Sequence, residues 1–152
     1  MAQSLAKILI HIVFSTKNRF PFLTDSTIRS EMHAYLGGIC RNLECPSLIV
    51  GGVADHIHIL SRLSRTIAMA DLLAELKRES SKWIKSKGGL LLMKFAWQSG
   101  YGAFSIGQRE VGVLKEYISR QEEHHRKRTF QEEYRSLLKE FEIEYDERYL
   151  WD

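Results

Sequence analysis

Only two cysteines occur in the 152 residues, Cys40 and Cys45, with no second Cys or His pair at zinc-ligand spacing. Neither a disulfide framework nor a structural zinc site is indicated, and both thiols read as small buried hydrophobes. No apolar run approaches the length of a membrane span. The opening MAQSLAKILIHIVF reaches Phe14 without the small-residue cleavage site of a secretory signal, so a cytoplasmic protein that avoids the membrane is expected. Internal repeats and low-complexity linkers are missing too. A single domain over residues 1–152 follows. The carboxylate cluster a two-metal nuclease would use is also lacking around the central histidines, which counts against a metal-dependent hydrolase.

What is present is a folding composition, 44% hydrophobic and 11% aromatic, in a chain long enough to bury a core. The net charge of +3 hides an asymmetry: residues 1–129 carry +8 and residues 130–152 carry −5. The body prefers a polyanion, although basic balance alone is a weak sign of nucleic-acid binding.

Alternation with period two over residues 5–14 predicts a strand, with Ile8, Ile10, Ile12 and Phe14 on one face and Leu9, His11 and Val13 on the other. Thr24 or Asp25 caps a helix running to about Leu43. SLIVGGV and HIHILSRL form a hairpin around Gly51 to Asp55. A second helix opens at Thr66, exposes Lys77, Arg78 and Lys82, and stops at Gly88-Gly89. A fourth strand lies near YGAFSIG, one helix spans about Arg109 to Lys127, and Thr129 with Glu132 boxes the start of a last helix. This order predicts an α+β, ferredoxin-like (RRM-like) antiparallel sheet with an extra C-terminal helical segment: sheet and two helices to about residue 108, a tyrosine-bearing helix over 109–128, then a helix and acidic tail over 129–152.

ADHIHIL carries the chemistry. Residues two apart on a strand share a face, so His56 and His58 stand together while Ile57 and Ile59 fill the core side. Such a pair can chelate one divalent ion; it is also what two half-exposed strand histidines look like, and two imidazoles alone do not make a site. In VGVLKEYISRQEEHHRKR, helical periodicity groups Tyr117, Gln121 and His124 on one border of the apolar stripe. Tyrosine is a nucleophile when its phenolate is stabilised, and a nearby cation does that while polarising a phosphate. A core-edge aromatic beside a solvated glutamine would give the same spacing.

GVADHIHIL, WQSGYGAFSIG, EYISRQEEHHRKRTFQEEY and DERYLW, in that order and with the opening QSLAKILIHIVFSTKNRFPFL, resemble the single-domain HUH tyrosine transposases of insertion sequences that move as single-stranded DNA; REP-associated tyrosine transposases are close relatives. The resemblance implies that His56, His58 and Gln121 hold a divalent metal, Mg²⁺ or Mn²⁺, with His124 close by. It implies that Tyr117 attacks a phosphodiester beside a DNA hairpin, leaving a 5′-phosphotyrosine and a 3′-hydroxyl. It also implies a homodimer with the tyrosine helix acting in trans, in a bacterial or archaeal cytoplasm, at the nucleoid when acting. Lys17, Arg19, Lys77, Arg78, Lys82, Arg126, Lys127 and Arg128 are then the expected phosphate contacts, as a cluster rather than singly. One departure is Arg120, where many relatives carry Asn. Alternatives are a host-adopted relative acting on dispersed chromosomal palindromes, and a non-catalytic single-stranded-DNA-binding module.

Overall fold

The computed structural model describes residues 2–152. Its elements are β1 (Leu9–Ser15), α1 (Ser26–Asn42), β2 (Ser47–Gly52), β3 (His56–Arg62), α2 (Met69–Ser86), β4 (Gly102–Ile106), α3 (Val111–Ser119), α4 (Gln121–His124) and α5 (Phe130–Glu140). The four strands form an antiparallel sheet in the order β2-β3-β1-β4, as the ferredoxin-like reading requires. Among the described residues no helix is long and apolar enough to cross a membrane.

Strand alternation divides the sheet into two unlike faces. Ile10, Ile12, Phe14, Ile57 and Ile59 point to the side covered by α1 and α2, a core of eighteen buried residues that includes Cys40 and Cys45. Both cysteines are free. The other face carries Val13 and Phe104 under α5, with only five buried residues in its apolar cluster. Most hydrophobic stabilisation therefore comes from the first face, which leaves the second able to hold polar groups.

β1 starts at Leu9 rather than at residue 5, because its partners end there: Leu9 pairs with Arg62 of β3 and with Ile106 of β4. Without a strand to pair, Leu5 and Ile8 stay exposed despite their alternation. Asp25 caps α1, accepting from the backbone N–H groups of Thr27 and Ile28. Thr129 and Glu132 form the expected capping box of α5. The expected single helix over 109–127 breaks at Arg120, whose φ of −106° and ψ of 25° end α3 and start the one-turn α4.

Two glycines let helices approach the second face. Gly51 pairs with His58, and a Cβ there would meet the Ile118 side chain and carbonyl oxygen at 2.8 Å. Gly102 pairs with Val13, and its Cβ would meet the Tyr134 ring at 2.7 Å. α3 and α5 thus lie close to the histidines because the sheet is bare beneath them. Gly51→Ala is expected to cost about 1–3 kcal/mol and to push α3 outward. Gly38→Ala, in open space on α1, should stabilise by a few tenths to about 1 kcal/mol. Urea denaturation of the two variants checks the contrast; equal effects would remove the packing argument.

Candidate active site

His56 and His58 are completely buried on the second face, not half-exposed. His56 Nδ1–H donates to Asp55 Oδ1 at 2.7 Å, which fixes the ring and leaves Nε2 facing Gln121 Oε1 at 3.1 Å. His58 Nε2–H donates to Glu133 Oε1 at 2.9 Å. The other nitrogen of His58, Nδ1, lies 2.8 Å from His11 Nε2 on the neighbouring strand. Asp55 and His11 orient the two imidazoles, an arrangement outer partners also give to histidines that hold metals.

Glu133, in the first turn of α5, is the centre of the cluster. Its Oε1 lies 2.9 Å from His58 Nε2, 3.2 Å from His125 Nε2 and 3.5 Å from His56 Nε2. Its Oε2 accepts a hydrogen bond from the Tyr117 hydroxyl. Arg128 Nη2 also reaches that hydroxyl at 3.4 Å, and the His124 ring stacks on the Tyr117 ring with centroids 4.6 Å apart. Tyr117 thus stands over His58, ring centroids 5.9 Å apart, in the same chain. It opens on a cleft of about 680 Å³ between β4, α3 and α5, lined also by His11, Gly107, Leu114 and Arg128.

Electrostatics follow from burial and this pairing. Burial opposes a charge on His56, but its hydrogen bonds to Asp55 and Glu133 outweigh it and raise the ring to about 9. Burial dominates at His58, lowering it, and at His11, lowering it to about 3. Glu133 is held far below the carboxylate range by the imidazoles of His125, His56 and His58 around it, against the opposing effect of burial. Tyr117 is pushed up to about 12, first by burial and then by the Glu133 carboxylate. At rest the phenol keeps its proton.

His56, Gln121, His58 and Tyr117 therefore meet as the sequence reading expected. Glu133, His125, His11 and Asp55 were missed as parts of the site. Glu133 had a visible signal: it falls at the helical spacing of the apolar stripe Phe130, Tyr134 and Leu137, a carboxylate among core positions. The sequence reading concerns only a two-metal carboxylate cluster; the structure places two carboxylates, Asp55 and Glu133, against these histidines. His125 sits four residues beyond Gln121, but the break at Arg120, not straight helical spacing, aims both at His56.

The eight basic residues do not form one cluster. Lys77 is a correction: its Nζ donates to the carbonyls of Gln98, Ser99 and Gly100 at 2.6 to 2.9 Å and is not a free phosphate contact. Arg78 is paired with Glu75 and Glu79, and with Lys82 it lies on α2, behind the sheet from the histidines. Arg19 rests over the Trp151 ring at 5.5 Å, next to exposed Lys17. Arg126 and Lys127 are exposed beside α4, and Arg128 alone reaches the tyrosine. Arg120 pairs with Glu116 and points away from the cluster.

A family model described as transposase IS200 like matches residues 4–121. The chain belongs to the IS200-like transposase family. The transposase is thereby placed among DNA-cleaving enzymes, and its fold is shared by solved structures. One, a Deinococcus radiodurans R1 protein assigned to the transposases, superposes with a TM-score of 0.62 at 18% identity over 80% of this chain and 95% of the other. A second, a REP-associated tyrosine transposase bound to a REP hairpin, gives 0.59 at 15% identity over 82% of this chain and 73% of the other. Comparison with curated proteins finds no match. The family match ends at Gln121, so Arg128 and every residue of α5, Glu133 included, lie beyond it.

Proposed function

We propose that the transposase cleaves and rejoins single-stranded DNA beside a hairpin by transesterification through Tyr117. The observation that carries this is the position of the Tyr117 hydroxyl, bonded to Glu133, within reach of Arg128, and over the buried His58. A phosphodiester entering the open cleft would place a phosphate oxygen at the Arg128 guanidinium, whose planar fork suits it. Tyr117 Oη, oriented by Glu133 Oε2, attacks phosphorus and gives up its proton to water; the bond to O3′ breaks, and the leaving 3′-oxygen takes up a proton from water. The product is a 5′-phosphotyrosine that a second 3′-hydroxyl can reverse, so joining needs no nucleotide cofactor.

Residues present fit a divalent metal. His56 Nε2 has no proton to donate once the ring is neutral with Nδ1–H on Asp55, and Gln121 Oε1 stands beside it. When bound, a divalent ion polarises a phosphate oxygen and favours the phenolate. His56, His58 and Gln121 would hold it, with Mg²⁺ or Mn²⁺ as the ion.

Within one chain the Tyr117 hydroxyl is bonded to Glu133 and its ring lies over His58, which supports attack in cis, whereas the resemblance implies exchange between two subunits. We therefore place the attack in cis. Mixing Tyr117→Phe with His56→Ala protein should restore no cleavage of a hairpin oligonucleotide; restored cleavage would establish exchange in a homodimer. The substrate is tested by incubating the protein and Mn²⁺ with single-stranded DNA carrying a hairpin, the same strand without it, and duplex. A covalent adduct is expected with the first alone, and equal reaction with duplex would overturn the substrate assignment.

A further inference from the structure

We infer that His125 and Glu133 are metal ligands, so that the segment following the tyrosine helix, and not DNA, completes the coordination of the ion at His56. The inference rests on the metal-dependent function proposed above and extends its ligand set. Among the described residues, His56, His125 and Glu133 form a group whose ligand atoms all lie within 4.8 Å of one another. Glu133 Oε1 stands 3.2 Å from His125 Nε2 and 3.5 Å from His56 Nε2. Ligand atoms about 2.1 Å from a shared ion are separated by roughly 3.0–3.4 Å, a range that the first spacing meets and the second narrowly exceeds.

A second observation is independent of that spacing. His125 Nε2 is buried and makes no hydrogen bond, although Glu133 Oε1 is close by. An orphaned buried nitrogen is costly unless something fills its vacant direction. His125 is held there by its ring edge against His56, with centroids 4.4 Å apart. Glu133 is as firmly placed, one residue from Tyr134 seated on bare Gly102 and four from the Thr129 cap.

The donor set changes the expected ion. With His125 and Glu133 added to His56, His58 and Gln121, three imidazoles, one carboxylate and one amide oxygen suit a first-row transition ion, whereas Mg²⁺ prefers oxygen ligands and retains its waters. Mn²⁺ then binds the protein in the absence of DNA, and Mg²⁺ competes poorly. Glu133 would also bind the nucleophile to the metal site, since Oε1 faces the histidines while Oε2 holds Tyr117.

Full-length protein, Glu133→Gln, His125→Ala and His56→Ala are titrated with Mn²⁺ without DNA, following free Mn²⁺ by electron paramagnetic resonance. Crystals soaked in Mn²⁺ give the anomalous map. The wild type should bind one ion, with its anomalous peak between His56, His125 and Glu133. Each of Glu133→Gln and His125→Ala should weaken binding on the order of 100-fold. If both bind as the wild type does while His56→Ala does not, the inference falls and the proposed function stands. If the wild type binds no ion, or His56→Ala binds normally, both fall. Should Glu133→Gln unfold, as its melting curve would reveal, His125→Ala decides alone.

Discussion

Tyr117→Phe should abolish formation of the covalent protein–DNA adduct, lowering strand cleavage on the order of 10⁴-fold or more, the scale on which removal of a nucleophile acts. The substitution removes only the hydroxyl. The ring keeps its stacking on His124 and its edge contact with His58, so the helix should stay in place. Glu133 Oε2 loses one donor while Oε1 keeps its bond from His58, and stability should change by no more than about 1 kcal/mol. Affinity for the hairpin should be unchanged, because no base or hairpin contact is assigned to the hydroxyl. Gel analysis of denatured reaction mixtures measures the adduct, and denaturation curves separate chemical loss from misfolding. Equal cleavage by the Phe variant would remove Tyr117 as nucleophile.

The second large effect is on pH dependence. His56 is raised from 6.5 to about 9 in the folded protein by Asp55 and Glu133, against the pull of burial. A raised histidine stabilises fully below its unfolded value of 6.5, and that stabilisation is lost as pH rises toward 9. The shift corresponds to on the order of 3 kcal/mol for the metal-free protein. The depressed Glu133 describes the same interaction and adds no second contribution. Below pH 6.5 the slope reverses, since His11 and His33, lowered to about 3 and about 4, must take up protons on unfolding. Lys77, pushed down by burial to about 8, makes stability rise with pH above that value and opposes His56 there. The clean window is therefore pH 6.5 to 8, read as the difference between wild type and His56→Gln, in which the other groups cancel. The wild type's stability advantage over the variant in the metal-free state should shrink across this window as pH rises, since His56 loses its proton toward about 9. Mn²⁺ affinity should rise over the same range, because the ion must displace the His56 proton. A difference between the two that does not change with pH would show that His56 is not charged in the folded state.

Much of this was readable from residue order because the rules involved are local. Alternation alone put His56 and His58 on one face and Ile57 and Ile59 on the other, and the T-x-x-E box set the start of α5. Where expectation and structure part, a non-local partner decides. β1 begins at Leu9 because both flanking strands stop there. Lys77 had the look of a solvated helix charge until the Gln98–Gly100 turn folded its carbonyls over the ammonium. The tyrosine helix breaks at Arg120, and only that break turns Gln121 and His125 to His56. Glu133 is the sharpest case. Helical spacing marks it as a core position, but its partners lie on β3, α3 and the loop after α4, brought together by glycines at 51 and 102 that no pattern of hydrophobicity reveals.

Peptide mapping of the protein–DNA adduct tests the chemistry most directly. Full-length transposase is reacted with Mn²⁺ and a hairpin-bearing single strand, digested, and sequenced by mass spectrometry, while the released strand is assayed for its terminus. The DNA should be attached through a 5′-phosphate to the peptide containing Tyr117, with a free 3′-hydroxyl on the released strand. Attachment at another residue, or cleavage leaving two free DNA ends and no adduct, would contradict transesterification through Tyr117.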